Sequence, residues 1–113
     1  MKLIIAGSRT FKNYEFLKEN LKEIKGISEI ISGGAIGADR LGEKWAKENN
    51  ISLRIFNADW SSFGRKAGVI RNNSMALYCD EAIIFWDGKS RGSKNMIDRM
   101  KEFNKPYKVI LFK

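Results

Sequence analysis

Short apolar runs alternate with helix-forming stretches along the whole of this 113-residue chain. The apolar runs predict five strands, at residues 3–6, 29–32, 51–55, 82–86 and 107–112. Strands that alternate with helices imply a mostly parallel sheet with right-handed crossovers and helices on both faces. The sequence therefore predicts one α/β domain over residues 1–113, built as a three-layer sandwich.

The stretches between the strands predict four helices. The first is capped by Asn13 and stopped by Gly26, and the second begins near Ala38. The third runs from about Gly68 to Tyr78, and the fourth follows the loop 87–93 and ends before the single proline. The polar segment 57–66 is interpreted as a long loop.

The third apolar run predicts the order of the strands. Ile51, Leu53 and Ile55 alternate with polar residues, a period-two pattern typical of a half-buried edge strand. With that strand outermost and the first strand central, the expected order is 3-2-1-4-5. The ligand crevice of such a sheet lies at the carboxyl ends of the first and fourth strands, where the winding reverses.

Composition excludes several functional classes. The chain has one cysteine, Cys79, and no histidine, so an internal disulfide, the usual zinc sites and a Cys-His nucleophile are ruled out, and no metal site is expected. No segment approaches the roughly 18–20 apolar residues that span a bilayer, and the first residues lack a signal-peptide core, so a cytoplasmic protein without a membrane partner is expected. The net charge of +8 favours anionic partners.

A glycine-rich turn at residues 32–40 separates the second strand from the second helix. Such a turn aims backbone N–H groups and the positive end of a helix at one point, which suits a phosphate. The spacing of Gly33, Gly34 and Gly37 matches neither the GxGxxG fingerprint nor the P-loop. Two interpretations stay open at this point: an anion-binding turn, and a tight turn that uses glycine only for its conformational freedom.

Three loops are predicted to converge on the crevice, namely 7–10, 33–37 and 87–93. Arg9 and Arg71 are the expected clamps for a phosphate, because a guanidinium binds it with two parallel hydrogen bonds. Asp39 either accepts from a ribose hydroxyl or holds the loop, and Trp60 and Phe63 either stack on a base or pack beneath the loop. The candidate ligand-binding residues are Gly7, Ser8, Arg9, Ser32, Gly33, Gly34, Gly37, Asp39, Lys66, Arg71, Asn72, Asp87, Gly88, Arg91, Gly92 and Ser93.

Taken in order, several motifs resemble the YspA-related branch of the SLOG superfamily. They are Ala6-Gly7-Ser8-Arg9-Thr10-Phe11, Ser32-Gly33-Gly34-Ala35-Ile36-Gly37-Ala38-Asp39, Ala58-Asp59-Trp60, residues 64–72 (GRKAGVIRN) and residues 87–93 (DGKSRGS). The resemblance implies a Rossmann-like fold and a nucleotide or nucleotide-derived ligand, with no further cofactor required. Some relatives are non-catalytic sensors in nucleotide signalling and phage defence, and relatives form oligomers, so a homo-oligomer is expected.

The catalytic relatives, the LOG phosphoribohydrolases, carry an arginine in an RK-type helix motif and a glutamate in PGGxGTxxE. Arg71 matches the arginine, whereas Met96 occupies the place of the glutamate. A thioether cannot stabilise an oxocarbenium-like state as a carboxylate does, and Asp87 is the best-placed substitute. The sequence therefore favours a non-catalytic sensor or sequestering protein, with a nucleotide-processing hydrolase as the alternative and single-stranded nucleic-acid binding as the second.

Overall fold

The computed structural model describes residues 1–113 and contains one parallel five-stranded sheet in the order β3-β2-β1-β4-β5. The strands are β1 (Lys2–Gly7), β2 (Glu29–Ser32), β3 (Ser52–Ile55), β4 (Glu81–Trp86) and β5 (Tyr107–Leu111). Every neighbouring pair is parallel. The strand order predicted from the period-two pattern of the third run is confirmed.

Five helices connect the strands. They are α1 (Tyr14–Leu21), α2 (Ala38–Glu48), α3 (Trp60–Phe63), α4 (Ala67–Tyr78) and α5 (Arg91–Glu102). None of them has the length and apolar character needed to cross a bilayer.

The sheet separates two apolar clusters, because successive side chains of a strand point to opposite faces. Leu3 and Ile5 of β1 belong to the cluster that holds Leu17 of α1. Ile4 belongs to the other cluster, with Met75 of α4 and further residues of α5. All four residues 3–6 of β1 are buried, as expected for a central parallel strand covered on both faces.

Three features of the chain differ by more than one residue from the sequence predictions. Helix α1 ends at Leu21 rather than continuing to Gly26, because the chain tightens into a turn in which Ile24 N donates to Leu21 O. The segment 57–66 is not a loop throughout: the Asp59 side chain accepts from Ser62 N and starts α3, and a 3-10 turn follows at Gly64–Lys66.

The third difference concerns the segment after β4. The Ser90 hydroxyl accepts from Ser93 N and caps α5. Arg91, Gly92 and Ser93 therefore lie in the first turn of a helix and not in the preceding loop.

Candidate functional site

A cavity of about 540 Å³ lies at the carboxyl ends of β1 and β4, the position predicted from the strand order. Its wall comes from the loops after β1, β2 and β4, from α4 and from the start of α5. The three predicted loops meet there. The candidate residues in the wall are Gly7, Ser8, Arg9, Gly33, Asp39, Arg71, Asn72, Asp87, Arg91, Gly92 and Ser93.

The other candidates lie outside the wall. They are Ser32, Gly34, Gly37, Lys66 and Gly88. Lys66 and Gly88 are exposed on the surface, whereas Ser32 is fully buried beneath the glycine-rich turn.

Two N–H groups of the glycine-rich turn already have acceptors within the chain. Ala35 N donates to Asp39 Oδ2 at 3.2 Å. Gly34 N donates to Ser32 Oγ at 3.0 Å. The turn therefore binds a carboxylate of its own helix, where the sequence suggested free donors for a phosphate.

A buried hydrogen bond between Ser32 and Glu43 supports the glycine-rich turn from the interior of the protein. The Ser32 hydroxyl donates to Glu43 Oε2 at 2.6 Å, and both residues are buried. Ser32 thus links α2 to the turn and does not reach the cavity. Sequence analysis missed Glu43, since a glutamate on an amphipathic helix is usually solvated.

Gly37 joins the loops after β1 and β2. Its φ is +88°, and a Cβ at this position would lie 2.4 Å from Ser8 O and 2.6 Å from Arg9 O. No side chain fits between these backbones. Gly37 is therefore required for the loop with Arg9 to pack against the start of α2.

Asp39 and Arg71 form the charged floor of the cavity. Burial raises the pKa of Asp39 to about 6, against the opposing effects of the Ala35 N–H and of the Arg71 charge. Arg71 Nη1 donates to Gly33 O at 2.6 Å, and its Nε donates to Asn72 Oδ1 at 3.0 Å. Burial, with a smaller contribution from the charge of Arg9, lowers the pKa of Arg71. Arg71 thus holds the glycine-rich turn while it lines the cavity.

Asn72 connects α4 to α5. Its Nδ2 donates to Gly92 O at 3.2 Å and to Asn95 Oδ1 at 3.0 Å. Asn72 is 6% exposed, so these bonds are largely shielded from water. Asn95 also lines the cavity and was not identified from the sequence, because nothing in its surroundings distinguishes it from a surface asparagine.

Asp87 is held by its own loop. Its Oδ1 accepts from Lys89 N at 2.9 Å and from Ser90 N at 2.8 Å, while its backbone N–H donates to Ser8 Oγ at 3.1 Å. The bonds from these two loop amides lower the pKa of Asp87. The carboxylate is therefore ionised at neutral pH, and its first role in this structure is to shape the turn before α5.

Three arginines on the wall remain without a charged partner. Arg9, Arg65 and Arg91 are exposed, and none of the five ion pairs of the chain includes them. Trp60 lines the same cavity and is 54% exposed. The wall thus combines uncompensated guanidinium groups with an open aromatic face. Arg65 was not among the candidate site residues, because the segment 57–66 is interpreted as a loop from sequence and the turn at Gly64–Lys66 that carries Arg65 to the cavity was not predicted.

The acid–base groups at the cavity are few. Asp39 and Asp87 are the carboxylates of the wall, and both accept backbone hydrogen bonds. Met96 lies in the wall and is 1% exposed. No group of three or more His, Cys, Asp or Glu side chains is arranged to hold a metal ion.

Comparisons with known proteins agree with the motif resemblance. The family model described as "YspA, cpYpsA-related SLOG family" matches residues 1–63. The Gene 61 protein of Mycobacterium phage D29 is 31% identical over 104 residues, which cover 83% of each chain.

Among solved structures, the DNA processing protein A (DprA) from Streptococcus pneumoniae resembles this chain with a TM-score of 0.80. The two are 18% identical, and the match covers 99% of this chain but only 50% of the other. This likeness concerns the fold alone, and it confirms the Rossmann-like architecture. The present chain spans half the length of that protein.

Proposed function

This chain belongs to the YspA, cpYpsA-related SLOG family, and from that premise we propose that it binds a nucleotide or nucleotide-derived anion in the cavity beside β1 and β4. Family membership indicates a function related to nucleotides or nucleic acids. The proposal adds a ligand class and a location.

The observation that carries the proposal is the set of uncompensated arginines around one cavity. Guanidinium groups bind phosphate through pairs of charge-assisted hydrogen bonds, which are stronger than neutral ones. Arg9 and Arg91 flank the cavity from the loop after β1 and from the first turn of α5, where the helix dipole also favours an anion. Trp60 offers a face on which a base can stack.

We further propose that the protein senses or sequesters its ligand without converting it. Cleavage of an N-glycosidic bond needs a carboxylate beside the developing positive charge. Met96 provides none, and the Asp87 carboxylate is engaged by the amides of Lys89 and Ser90. A role in nucleotide signalling or phage defence stays a prediction from the resemblance.

Native mass spectrometry of freshly purified protein tests the proposal. The expected result is a bound compound that is released on denaturation, has the mass of a nucleotide derivative and is recovered intact. The compound should be lost from an Arg9→Gln variant and retained by Lys108→Gln, which removes one charge from an exposed residue of β5 outside the cavity.

If the purified protein carries no compound, it is incubated with nucleoside monophosphates and diphosphates, and native mass spectrometry is repeated to detect a bound nucleotide. Absence of any bound nucleotide would contradict the proposal. Release of free base from a monophosphate would instead favour the hydrolase, and an Asp87→Asn variant would then be expected to lose turnover while retaining binding.

Single-stranded nucleic acid is the second candidate. Trp60 and Phe63 are 54% and 50% exposed on the short helix α3, and Arg65 and Lys66 follow after Gly64. Aromatic platforms beside cations are typical of single-strand binding. An oligonucleotide affinity that falls much more steeply with salt than the affinity for a mononucleotide would favour this candidate.

The homo-oligomer expected from the family resemblance is also proposed here. The outer side of α4 exposes Ile70 and Leu77, at 40% and 58%, and Arg71 is the only charged residue of this helix. Light scattering distinguishes the outcomes: a multiple of the 12.9 kDa chain mass is expected, and the mass of one chain would contradict it.

A further inference from the structure

Resting on the proposed nucleotide site, we propose that the ligand carries at least two linked phosphate groups, as a nucleoside diphosphate or a larger phosphoanhydride does. The basis is the distribution of charge on the cavity wall. Four arginines line it, and they differ in whether the chain already occupies their hydrogen-bonding groups.

One guanidinium and both carboxylates are committed within the chain. Arg71 donates to Gly33 O and to Asn72 Oδ1, and it faces Asp39. The Asp39 carboxylate accepts from the glycine-rich turn, and the Asp87 carboxylate accepts from the turn before α5. These groups form the frame of the cavity, and Arg71 spends two of its five N–H donors on it.

The other three guanidinium groups are uncommitted and come from separate parts of the fold. Arg9 follows β1, Arg65 lies in the 3-10 turn after α3, and Arg91 lies in the first turn of α5. No carboxylate pairs with any of them. Like charges that converge on one cavity repel each other, so this arrangement is unfavourable until an anion enters.

The three groups together carry three positive charges, whereas a phosphate monoester carries a charge of only about −2 at neutral pH. One phosphate therefore leaves part of their charge unbalanced. A second linked phosphate adds negative charge and offers further oxygens to an arginine on a different element. The volume of about 540 Å³ lies well within the range of roughly 300–1,000 Å³ typical of small-molecule sites, so it leaves room for a base and ribose as well.

Calorimetric titration of the full chain tests this inference. The probes are adenosine, guanosine, cytidine and uridine as monophosphates and as diphosphates. For the preferred base, the diphosphate is expected to bind at least about tenfold more tightly than the monophosphate, which corresponds to about 1.4 kcal/mol.

The arginines are tested by Arg65→Gln and Arg91→Gln, with Lys108→Gln as the control for net charge. Each arginine variant is expected to weaken diphosphate binding by about tenfold, and the control is expected to bind as the natural protein does. At least one of the two variants should weaken monophosphate binding much less, because a charge of about −2 does not balance all three unpaired arginines. Unchanged thermal unfolding of the variants shows that the loss is local.

The outcomes separate the inference from the proposal on which it rests. Equal affinity for the monophosphate and the diphosphate would overturn the inference and leave the nucleotide site intact. Diphosphate binding that neither arginine variant weakens would also overturn it. If no nucleotide of either kind binds, both the inference and the proposed function fail.

Discussion

Replacement of Asp39 by asparagine is expected to remove one contribution to the pH dependence of the unfolding free energy between about pH 4 and pH 6.5. Asp39 is 6% exposed, and its Oδ2 accepts from Ala35 N. Asparagine has nearly the same shape and retains an acceptor for this N–H, while it removes the charge that burial disfavours.

The magnitude follows from the pKa of this carboxyl. Burial raises it from the ordinary 3.8 to about 6, and a difference of this size corresponds to about 3 kcal/mol. Because the folded state holds the Asp39 proton more tightly than the unfolded chain does, the contribution of Asp39 to the unfolding free energy falls as pH rises through this window. The cost is fully present above about pH 6.5, and it is absent from the asparagine variant.

Urea unfolding of both proteins at pH 4 and pH 7.5 measures this effect. The unfolding free energy of Asp39→Asn minus that of the natural protein is expected to increase by roughly 2–2.5 kcal/mol from the lower to the higher pH, because part of the total effect is already present at pH 4. The comparison cancels groups common to both chains. The matched control is Asp98→Asn, where the hydrogen bond from Lys94 lowers the pKa of a carboxyl below 3.8, so that difference should stay nearly constant between pH 4 and pH 7.5.

A difference that stays constant with pH, or that decreases, would refute the reasoning. It would mean that the Arg71 charge outweighs burial and that the Asp39 carboxylate is stabilised as an ion. The turn would then be held by an ion pair and not by a poorly solvated carboxylate.

Three further changes test how the loops are held. Gly37→Ala should lower the unfolding free energy by more than about 2 kcal/mol, because the new Cβ meets backbone oxygens. The control Gly26→Ala is also at positive φ but points into open space, so it should cost only about 1 kcal/mol. Equal losses of the two variants in urea unfolding would contradict this. Ser32→Ala should cost about 2–3 kcal/mol, because it leaves the buried Glu43 carboxylate without its donor, and an unchanged thermal midpoint would count against it. Asp87→Ala should accelerate amide hydrogen exchange in residues 88–91 by removing the acceptor of two loop amides, and unchanged exchange there would show that the side chain does not hold the turn.

Most of the fold was predictable because its determinants are local. The buried run of β1, the Asn13 cap of α1 and the alternation of Leu53 with polar neighbours in β3 each belong to one short segment. The length of α1 and the helix α3 were missed. The end of α1 lacks a distinct stop before Gly26, and α3 is a single turn started by the Asp59 side chain.

The position of the site was predictable from the strand order. Which hydrogen-bond donors stay free for a ligand and which bond within the chain was not predictable. Strand order places the loops of Arg9 and Asp87 together at one end of the sheet. The bond from Ala35 N to Asp39 requires the aspartate side chain to fold back across four residues, and a sequence does not distinguish this from a turn with free donors. The burial of Glu43 and the arrival of Arg65 at the cavity depend likewise on tertiary packing.

The most direct test of a nucleotide site at the carboxyl ends of β1 and β4 is a titration of the ¹⁵N-labelled protein with a nucleoside diphosphate. Amide chemical shifts report the residues that are affected. The site described here predicts saturable shifts concentrated in residues 7–10, 68–72 and 90–95, with little change at the opposite end of the sheet around residues 26–29. Shifts centred elsewhere on the surface, or no shifts at millimolar nucleotide, would contradict it.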